Sequence, residues 1–481
     1  MKIKPFFLIL LTLFSLTLSI ISCKKDPKET PAVKPNLYVQ NWILDNMEYW
    51  YFWNYKIPGN ADTTLAPEPF FYSLLYNAPG GDRFSWIEAD YTTLQNELNG
   101  INKEAGYDFK LYLASAGSSD IIGQITYIKK GSPAQVAGLK RGDIFPEINS
   151  TQLTTTNYRT LLNTTGNSYT LRIQRFDEVN TQIPAYDHVF TLNPVELAED
   201  PVLLDTIYSI AGKNIGYMVY NFFSPGSGAS KPYDQAVDNV FAKFKSAGVS
   251  EVVLDLRFNG GGAISSAINL ASLLVPNYNS SKIFVNFQYN SQVQSDIINE
   301  PSLGSAYLHQ KFTSKASNIG NNLTRIFVLT SNGTASASEL IINGLRPYIP
   351  VITIGDTTYG KNVGSITITD TKNTTNTWGM QPIVLTLTNS DNFGEYSNGF
   401  APVGNNFILD NKFILKPLGD VKETLLFRAL DLITYGGKKS VQPSPGMAGT
   451  EIKRANLQLN PYKTTMYVSP EMSPLKKISS R

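Results

Sequence analysis

The run Ser331-Asn332-Gly333-Thr334-Ala335-Ser336-Ala337-Ser338-Glu339 holds the hydroxyls best placed to do chemistry in this 481-residue chain. The apolar, β-branched run Ile326-Phe327-Val328-Leu329 before it suits a buried strand. Glu339-Leu340-Ile341-Ile342 with Leu345 after it suits a helix, so the serines stand at a helix N-terminus. Unpaired backbone N–H groups and the positive end of the helix dipole lie there, and both favour an oxyanion beside an attacked carbonyl. Helix capping by Ser336 or Ser338 is the structural alternative. Glu339, in the first turn, caps the helix N-terminus or complements its dipole rather than titrating. A serine nucleophile also needs a base within hydrogen-bond reach. The chain has two histidines, His188 in a strand-like run and His309 in Tyr307-Leu308-His309-Gln310, and neither lies in a motif. Lysine is the remaining candidate base. No His/Cys/Asp cluster has metal spacing, no phosphate-binding loop of the Walker or dinucleotide type occurs, and no cofactor is implied.

Residues 197–440 alternate strands with helices. Val252-Val253-Leu254-Asp255-Leu256 reads as a strand, Asn259-Gly260-Gly261-Gly262 as a tight loop, and residues 264–274 as a helix with apolar spacing of three and four. The Ser336 unit repeats that order, and Val351-Ile352-Thr353-Ile354 supplies another strand. Repeated βα units imply a mostly parallel sheet whose ligands lie beyond the carboxyl ends of its strands, so the loops should converge on one edge. Residues 37–100 are rich in aromatics, among them Trp42, Tyr49, Trp50, Trp53, Phe70 and Phe71, spaced as in short amphipathic helices. They are expected to form the core of a small helical domain, with a carbohydrate-stacking platform as the alternative. Asp82-Arg83-Phe84-Ser85-Trp86 falls late in this segment. Residues 441–481 show little periodicity, with Pro443, Pro445 and Gly446, and either wrap the core or move freely. The fold class expected is α/β in an α+β multidomain arrangement.

Apolar residues make up 42% of the chain and charged residues 17%, with 41 basic against 39 acidic side chains and a net charge of +2. Mixed charges of this kind offer no basic face for nucleic acid. Met1-Lys2-Ile3-Lys4 is basic, and the apolar stretch that follows, residues 6–21, is short for a membrane span and reads as a secretory signal. Ile20-Ile21-Ser22-Cys23 resembles the bacterial lipoprotein box. The expectation is a signal peptide at 1–23, acylation of Cys23, a polar tether at 24–36 and a lipid anchor in the cell envelope, at the outer membrane. Cys23 is the sole cysteine, so no intramolecular disulfide forms.

Within residues 101–196, Gly131-Ser132-Pro133-Ala134, Ala137-Gly138-Leu139 and Gly142-Asp143 follow a strand in an order that resembles a PDZ domain of the bacterial protease type. Such domains add an extended peptide to a sheet edge. The resemblance puts Gly106, Tyr107 and Phe109 at the peptide-binding loop, where Asp108 would repel a terminal carboxylate.

Together these motifs resemble the C-terminal processing (tail-specific) peptidases, serine proteases with a Ser-Lys dyad. The family carries a GTASASE-like stretch and a lysine 25 positions after the nucleophile. Here Thr358-Tyr359-Gly360-Lys361 supplies that lysine, which selects Ser336 over Ser338. The resemblance implies catalysis by Ser336 and Lys361, with oxyanion donors at Ala337 and Gly261 and with Gly260 or Gly262 as alternatives to the latter. Lys361 would then need its pKa lowered by about 3 units, roughly 4 kcal/mol, by burial in an apolar pocket. Tyr359 and Val363 are the candidate walls. Where many relatives have a glutamine four residues on, this chain has Ser365, a shorter candidate for orienting the lysine. The implied function is an envelope endopeptidase cleaving extended or unfolded protein segments through an acyl-enzyme. The alternatives are a catalytically weak or inactive peptide-binding lipoprotein on the same scaffold and, through Trp50 and Trp53, a surface glycan-binding protein. Protein or peptide substrates and the membrane are the implied partners, and no oligomeric state is specified.

Overall fold

A computed structural model of the chain describes residues 37–177, 183–439, 446–452 and 464–478. The expected signal peptide, the expected tether and Cys23 lie outside the described residues. No helix among the described residues is long and apolar enough to cross a membrane.

The N-terminal region is helical, with α1 (Tyr38–Trp50) and α2 (Pro67–Ser73) followed by α3 (Tyr91–Leu98). Ile43, Met47 and Trp50 recur on one face of α1 at helical spacing and are buried, as are Phe70 and Phe71 on α2. These aromatics do not make a core of their own, as the sequence had suggested. They join one large apolar cluster with the helices and strands of the peptidase-like region. Tyr49 and Tyr51 carbonyls accept from the Asn290 amide, and Phe52 N–H donates to Ile383 at 2.8 Å, so the region is stitched to the main body.

The PDZ-like sheet follows, built from β1 (Tyr107–Leu113), β2 (Ile121–Ile128), β3 (Ile144–Ile148), β4 (Tyr169–Arg175) and β5 (Tyr186–Leu192), with α4 (Tyr158–Asn163) between β3 and β4. Ile125, Phe145, Ile148, Leu171 and Ile173 form its separate core. The Gly131-Ser132-Pro133-Ala134 motif opens a short helix, with Ser132 Oγ accepting the Gln135 N–H and proline at the first helical position.

The peptidase-like region is a five-stranded sheet in the order β6 (Val202–Ile210), β7 (Lys213–Tyr220), β8 (Glu251–Asp255), β10 (Ile326–Thr330), β11 (Val351–Gly355). The β6–β7 pair is antiparallel and the remaining pairs are parallel. Between β7 and β10 run α5 (Pro232–Ser246), α6 (Ile264–Leu274) and β9 (Ile283–Tyr289), and α7 (Ala337–Leu345) joins β10 to β11. Every residue of β8 and β10 is buried because both faces are covered. Val252 and Leu254 meet the cluster that holds α5, α6 and α7. Val253, Phe327 and Leu329 meet α8 (Thr424–Thr434) on the other face. A second, six-stranded sheet contains β9, β12 (Val363–Ser365) and β13 (Ile383–Thr388). The described parts of the C-terminal stretch pack on the body: β14 (Glu451–Ile452) joins the PDZ-like sheet beside β1, and β15 (Met466–Tyr467) joins the second sheet beside Gly262-Ala263.

Candidate active site

Three neighbouring parallel strands, β8, β10 and β11, each end in a loop rich in the residues singled out above. Parallel pairing forces those loops to the same edge. The β8 loop carries Gly260-Gly261-Gly262, the β10 loop leads to Ser336, and the β11 loop to Lys361. The first two are laced together. Thr334 Oγ1 donates to Leu256 O at 2.8 Å, Ala335 N–H to Asn259 O at 3.2 Å, and Ser338 Oγ to the same oxygen at 3.0 Å. Ser338 therefore has a packing role.

Ser336 stands immediately before α7 with φ 66° and ψ −120°. A non-glycine residue there stores strain of order 1–3 kcal/mol and persists only if its surroundings hold it. The holding group is Glu339, fully buried, whose carboxylate takes four donors: Ser336 N–H at 2.8 Å, Thr358 Oγ1 at 2.6 Å, Gly360 N–H at 2.7 Å and Lys361 N–H at 2.8 Å. One carboxylate thus fastens the serine turn to the lysine loop. Burial pushes the Glu339 pKa up, while these bonds oppose the rise. Glu339 caps the helix by accepting the Ser336 N–H. Ser336 Oγ is buried, without a hydrogen-bond partner among the described residues. A buried hydroxyl in that condition can bond a substrate without giving up a partner in the chain.

Lys361 is 1% exposed, and burial lowers its pKa from 10.5 to about 7, against Asp82 and Glu339, which raise it, and with Arg83, which lowers it. The ring on the ammonium is Phe84, with Nζ 4.6 Å from its centroid. Tyr359, the expected wall, lies 6.0 Å from the Phe84 ring. Arg83 Nη2 donates to Gly360 O at 3.0 Å, tying the Asp82-Arg83-Phe84 turn to the lysine loop. Asp82 shapes that turn by accepting the Phe84 and Ser85 N–H groups at 2.8 and 2.9 Å. No sequence motif assigns these residues a role.

Gly261 is held against the serine. A Cβ there would overlap Ser336 Oγ, stand 2.5 Å from Ser336 Cβ and lie 3.1 Å from Ala337 N. Its φ of 117° further favours glycine. Its own N–H donates to Asn259 Oδ1 at 2.9 Å. Ala337 N–H belongs to the first turn of α7, where helix geometry supplies no acceptor. Ser365 lies elsewhere in the network from the role anticipated for it, because its Oγ donates to Met466 O at 3.0 Å. His309 is exposed and contacts Asn286 at 2.7 Å, and neither histidine bonds to Ser336.

Behind the glycine loop, Arg257 is buried with Asp255, Glu423 and Asp410, at 2.6 to 3.1 Å. Arg141 of the PDZ-like motif reaches Asp410 at 3.1 Å and Glu423 at 3.5 Å. A cleft opens between the two regions, lined by Tyr127, Phe222, Phe223, Phe258 and Gly260-Gly261-Gly262 with Lys129 and Glu199. Of the expected peptide-binding residues, Gly106 has φ 81° and its carbonyl accepts from Lys129 N–H at 2.9 Å. Tyr107 and Phe109 pack on Phe145, at 6.2 and 5.4 Å between ring centroids, and Tyr169 OH donates to Tyr107 OH at 2.9 Å.

Residues 214–385 match peptidase family S41, residues 38–86 the peptidase S41 N-terminal domain, and residues 124–175 a PDZ domain. The carboxy-terminal processing protease CtpA of Bacillus subtilis (strain 168) is 26% identical over 237 residues, 48% of this chain and 43% of that protein. The chloroplastic C-terminal processing peptidase of Tetradesmus obliquus is 24% identical over 280 residues, 55% of this chain and 52% of that protein. The chain thus matches about half the length of these curated relatives. A crystal structure from Bacteroides fragilis NCTC 9343 assigned to the S41 proteases superimposes with a TM-score of 0.65 and 26% identity, covering 82% of this chain and 97% of that one. With its loops on one sheet edge, its helical N-terminal region and its PDZ-like sheet, the chain belongs to peptidase family S41, with that family's N-terminal domain and a PDZ domain.

Proposed function

We propose that the protein is a serine endopeptidase in which Ser336 attacks a peptide carbonyl and Lys361 takes the serine proton. The observation that carries this reading is a buried lysine whose pKa falls to about 7, with its loop fastened by Glu339 to the turn of a buried serine. The proton passes from Oγ to Nζ as the C–O bond forms. Lys361 then returns it to the leaving amine, and water repeats the cycle on the acyl-enzyme. Ala337 N–H supports the oxyanion, joined by Gly261 N–H once Asn259 releases it. The PDZ-like sheet delivers an extended or unfolded segment. The lipoprotein-box sequence ending in Cys23 supports attachment to a membrane of the cell envelope, at the outer membrane, and Cys23→Ala should move the protein to the soluble fraction.

The test is cleavage of reduced, unfolded casein together with labelling by a fluorophosphonate. Ser336→Ala should lose both, and full proteolysis by that variant or labelling at another residue would overturn the assignment. A second reading, peptide capture without turnover, draws on the unpartnered Ser336 Oγ and the engaged Gly261 N–H. Casein binding by calorimetry with no product after long incubation of the unmodified protein would favour it.

A further inference from the structure

A sheet edge that accepts a peptide strand must offer unpaired backbone groups. The strand after the Gly106 loop is β1, with β2 on one side. On its other side the chain has laid down a segment of itself. Glu451 stands opposite Tyr112 and Ile452 opposite Leu111 in antiparallel register, and Leu113 N–H donates to Thr450 O at 3.0 Å. Ile452 packs against the PDZ-like core. Gly449 passes so close to Leu113 that an added Cβ would overlap its carbonyl and lie 3.0 Å from its Cα.

The segment is anchored at both ends of its course. Met447 N–H donates to Asn411 O at 2.8 Å, and Gly446 bridges Lys412. The Gln124 amide of β2 grips the carbonyls of Lys412 and Phe413 at 3.1 and 2.9 Å. At the far end Glu451 joins two regions, with Lys110 of β1 at 3.3 Å and Asn332 at 3.4 Å. Asn332 belongs to the turn that presents Ser336.

The segment runs toward the Gly106 end of β1, as a peptide entering that loop would, but it lies within the chain and carries no terminal carboxylate. Asp108, buried at that loop, accepts the Phe109 N–H at 2.8 Å. The chemistry displayed is that of an extended internal segment with a small residue, an acidic residue facing Lys110 and an aliphatic residue on the core.

We propose that residues 446–452 are a built-in ligand of the PDZ-like sheet, which an incoming extended segment must displace from β1, freeing Asn332 from Glu451. The word incoming rests on the proposed peptidase function, but the occupancy does not. Single backbone hydrogen bonds add little net stability, so a strand this short can leave. Tethering nonetheless supplies an effective concentration on the order of millimolar, so the segment competes with free peptide.

The test uses the full chain carrying Ser336→Ala, so that hydrolysis plays no part. The probe is a fluorescein-labelled peptide of residues 446–452, read by anisotropy. Adding Glu451→Ala and Ile452→Asp should tighten its binding by about tenfold or more. Where that variant melts well below its parent, Ile452→Ser replaces it, with about threefold or more expected. Equal affinity with and without the substitutions overturns the proposal. So does absence of binding to a variant that melts with its parent. A failure here leaves Ser336 chemistry standing, and loss of that chemistry leaves this result standing.

Discussion

Under the proposed mechanism, replacing Phe84 by alanine should make the enzyme more alkaline in its pH dependence rather than simply slower. Lowering Lys361 from 10.5 to about 7 corresponds to roughly 5 kcal/mol against the ammonium. Phe84 acts in both directions. Its ring excludes water from Nζ, and its face attracts the cation, an effect worth about 1 kcal/mol. Water entering the space left by the ring would relieve on the order of half the burial penalty, roughly 2.5 kcal/mol, and lose about 1 kcal/mol of cation–π attraction. The balance, about 1.5 kcal/mol, raises the pKa by about one unit, to around 8. Half of Lys361 is neutral at pH 7 in the unmodified protein and about a tenth in the variant, so kcat/KM should fall about fivefold at pH 7 and recover nearly fully by about pH 9.5. The assay is kcat/KM on labelled, reduced casein across pH, taken as the ratio of variant to parent so that titration of the substrate cancels. A ratio independent of pH, or a midpoint moved downward, would refute the reasoning. The same group gives a stability signature. Its folded pKa lies below its unfolded one, so the unfolded chain binds the extra proton between about pH 7 and 10.5 and stability from this group rises across that window.

Two further outcomes bear on the frame around the serine. Glu339→Gln should destabilise the fold by about 3 kcal/mol and cut turnover by more than its loss of stability explains, because an amide nitrogen cannot accept the N–H groups now bound by the carboxylate. Chemical denaturation beside steady-state kinetics separates the two effects, and a variant of normal stability and rate would contradict the role assigned to the carboxylate. Gly261→Ala should lower kcat by about a thousandfold through the clash with Ser336 Oγ and the strain at φ 117°, and retained fluorophosphonate labelling at the parent rate would contradict it.

The strand and helix alternation of the peptidase-like region was legible because β8 and β10 are buried on both faces and so read as unbroken apolar runs. The proposed pairing of Ser336 with Lys361 came only from their spacing within a family pattern, since no local signal makes a loop lysine basic. Phe84 escaped notice because what matters is its contact with a side chain 277 positions away, and a turn rich in Asp82, Arg83 and Ser85 has no periodicity to betray it. Glu339 was legible as a helix cap or dipole partner from its place in the first helical turn, whereas its bonds to Thr358 and Gly360 depend on how two loops meet. The β14 strand is two residues long in a proline- and glycine-containing stretch, too short for alternation to register.

The unequal strength of the contacts around the site says which part must move. The strained Ser336 backbone is fixed by a buried carboxylate with four donors, and hydrogen bonds to charged groups contribute about 1.5–3 kcal/mol each. That exceeds the strain of roughly 1–3 kcal/mol and leaves the serine turn no cheap alternative. The Gly261 N–H, by contrast, is held by one neutral bond to Asn259 Oδ1, worth about 1 kcal/mol. An oxyanion would compete well for that donor, because hydrogen bonds to a charged acceptor are about twice as strong as neutral ones. Asn259 would keep its other tie, Nδ2 to Tyr220 O at 2.9 Å. Under the proposed mechanism, completing the site would therefore take a small shift of the glycine loop, with the serine and its carboxylate brace left in place.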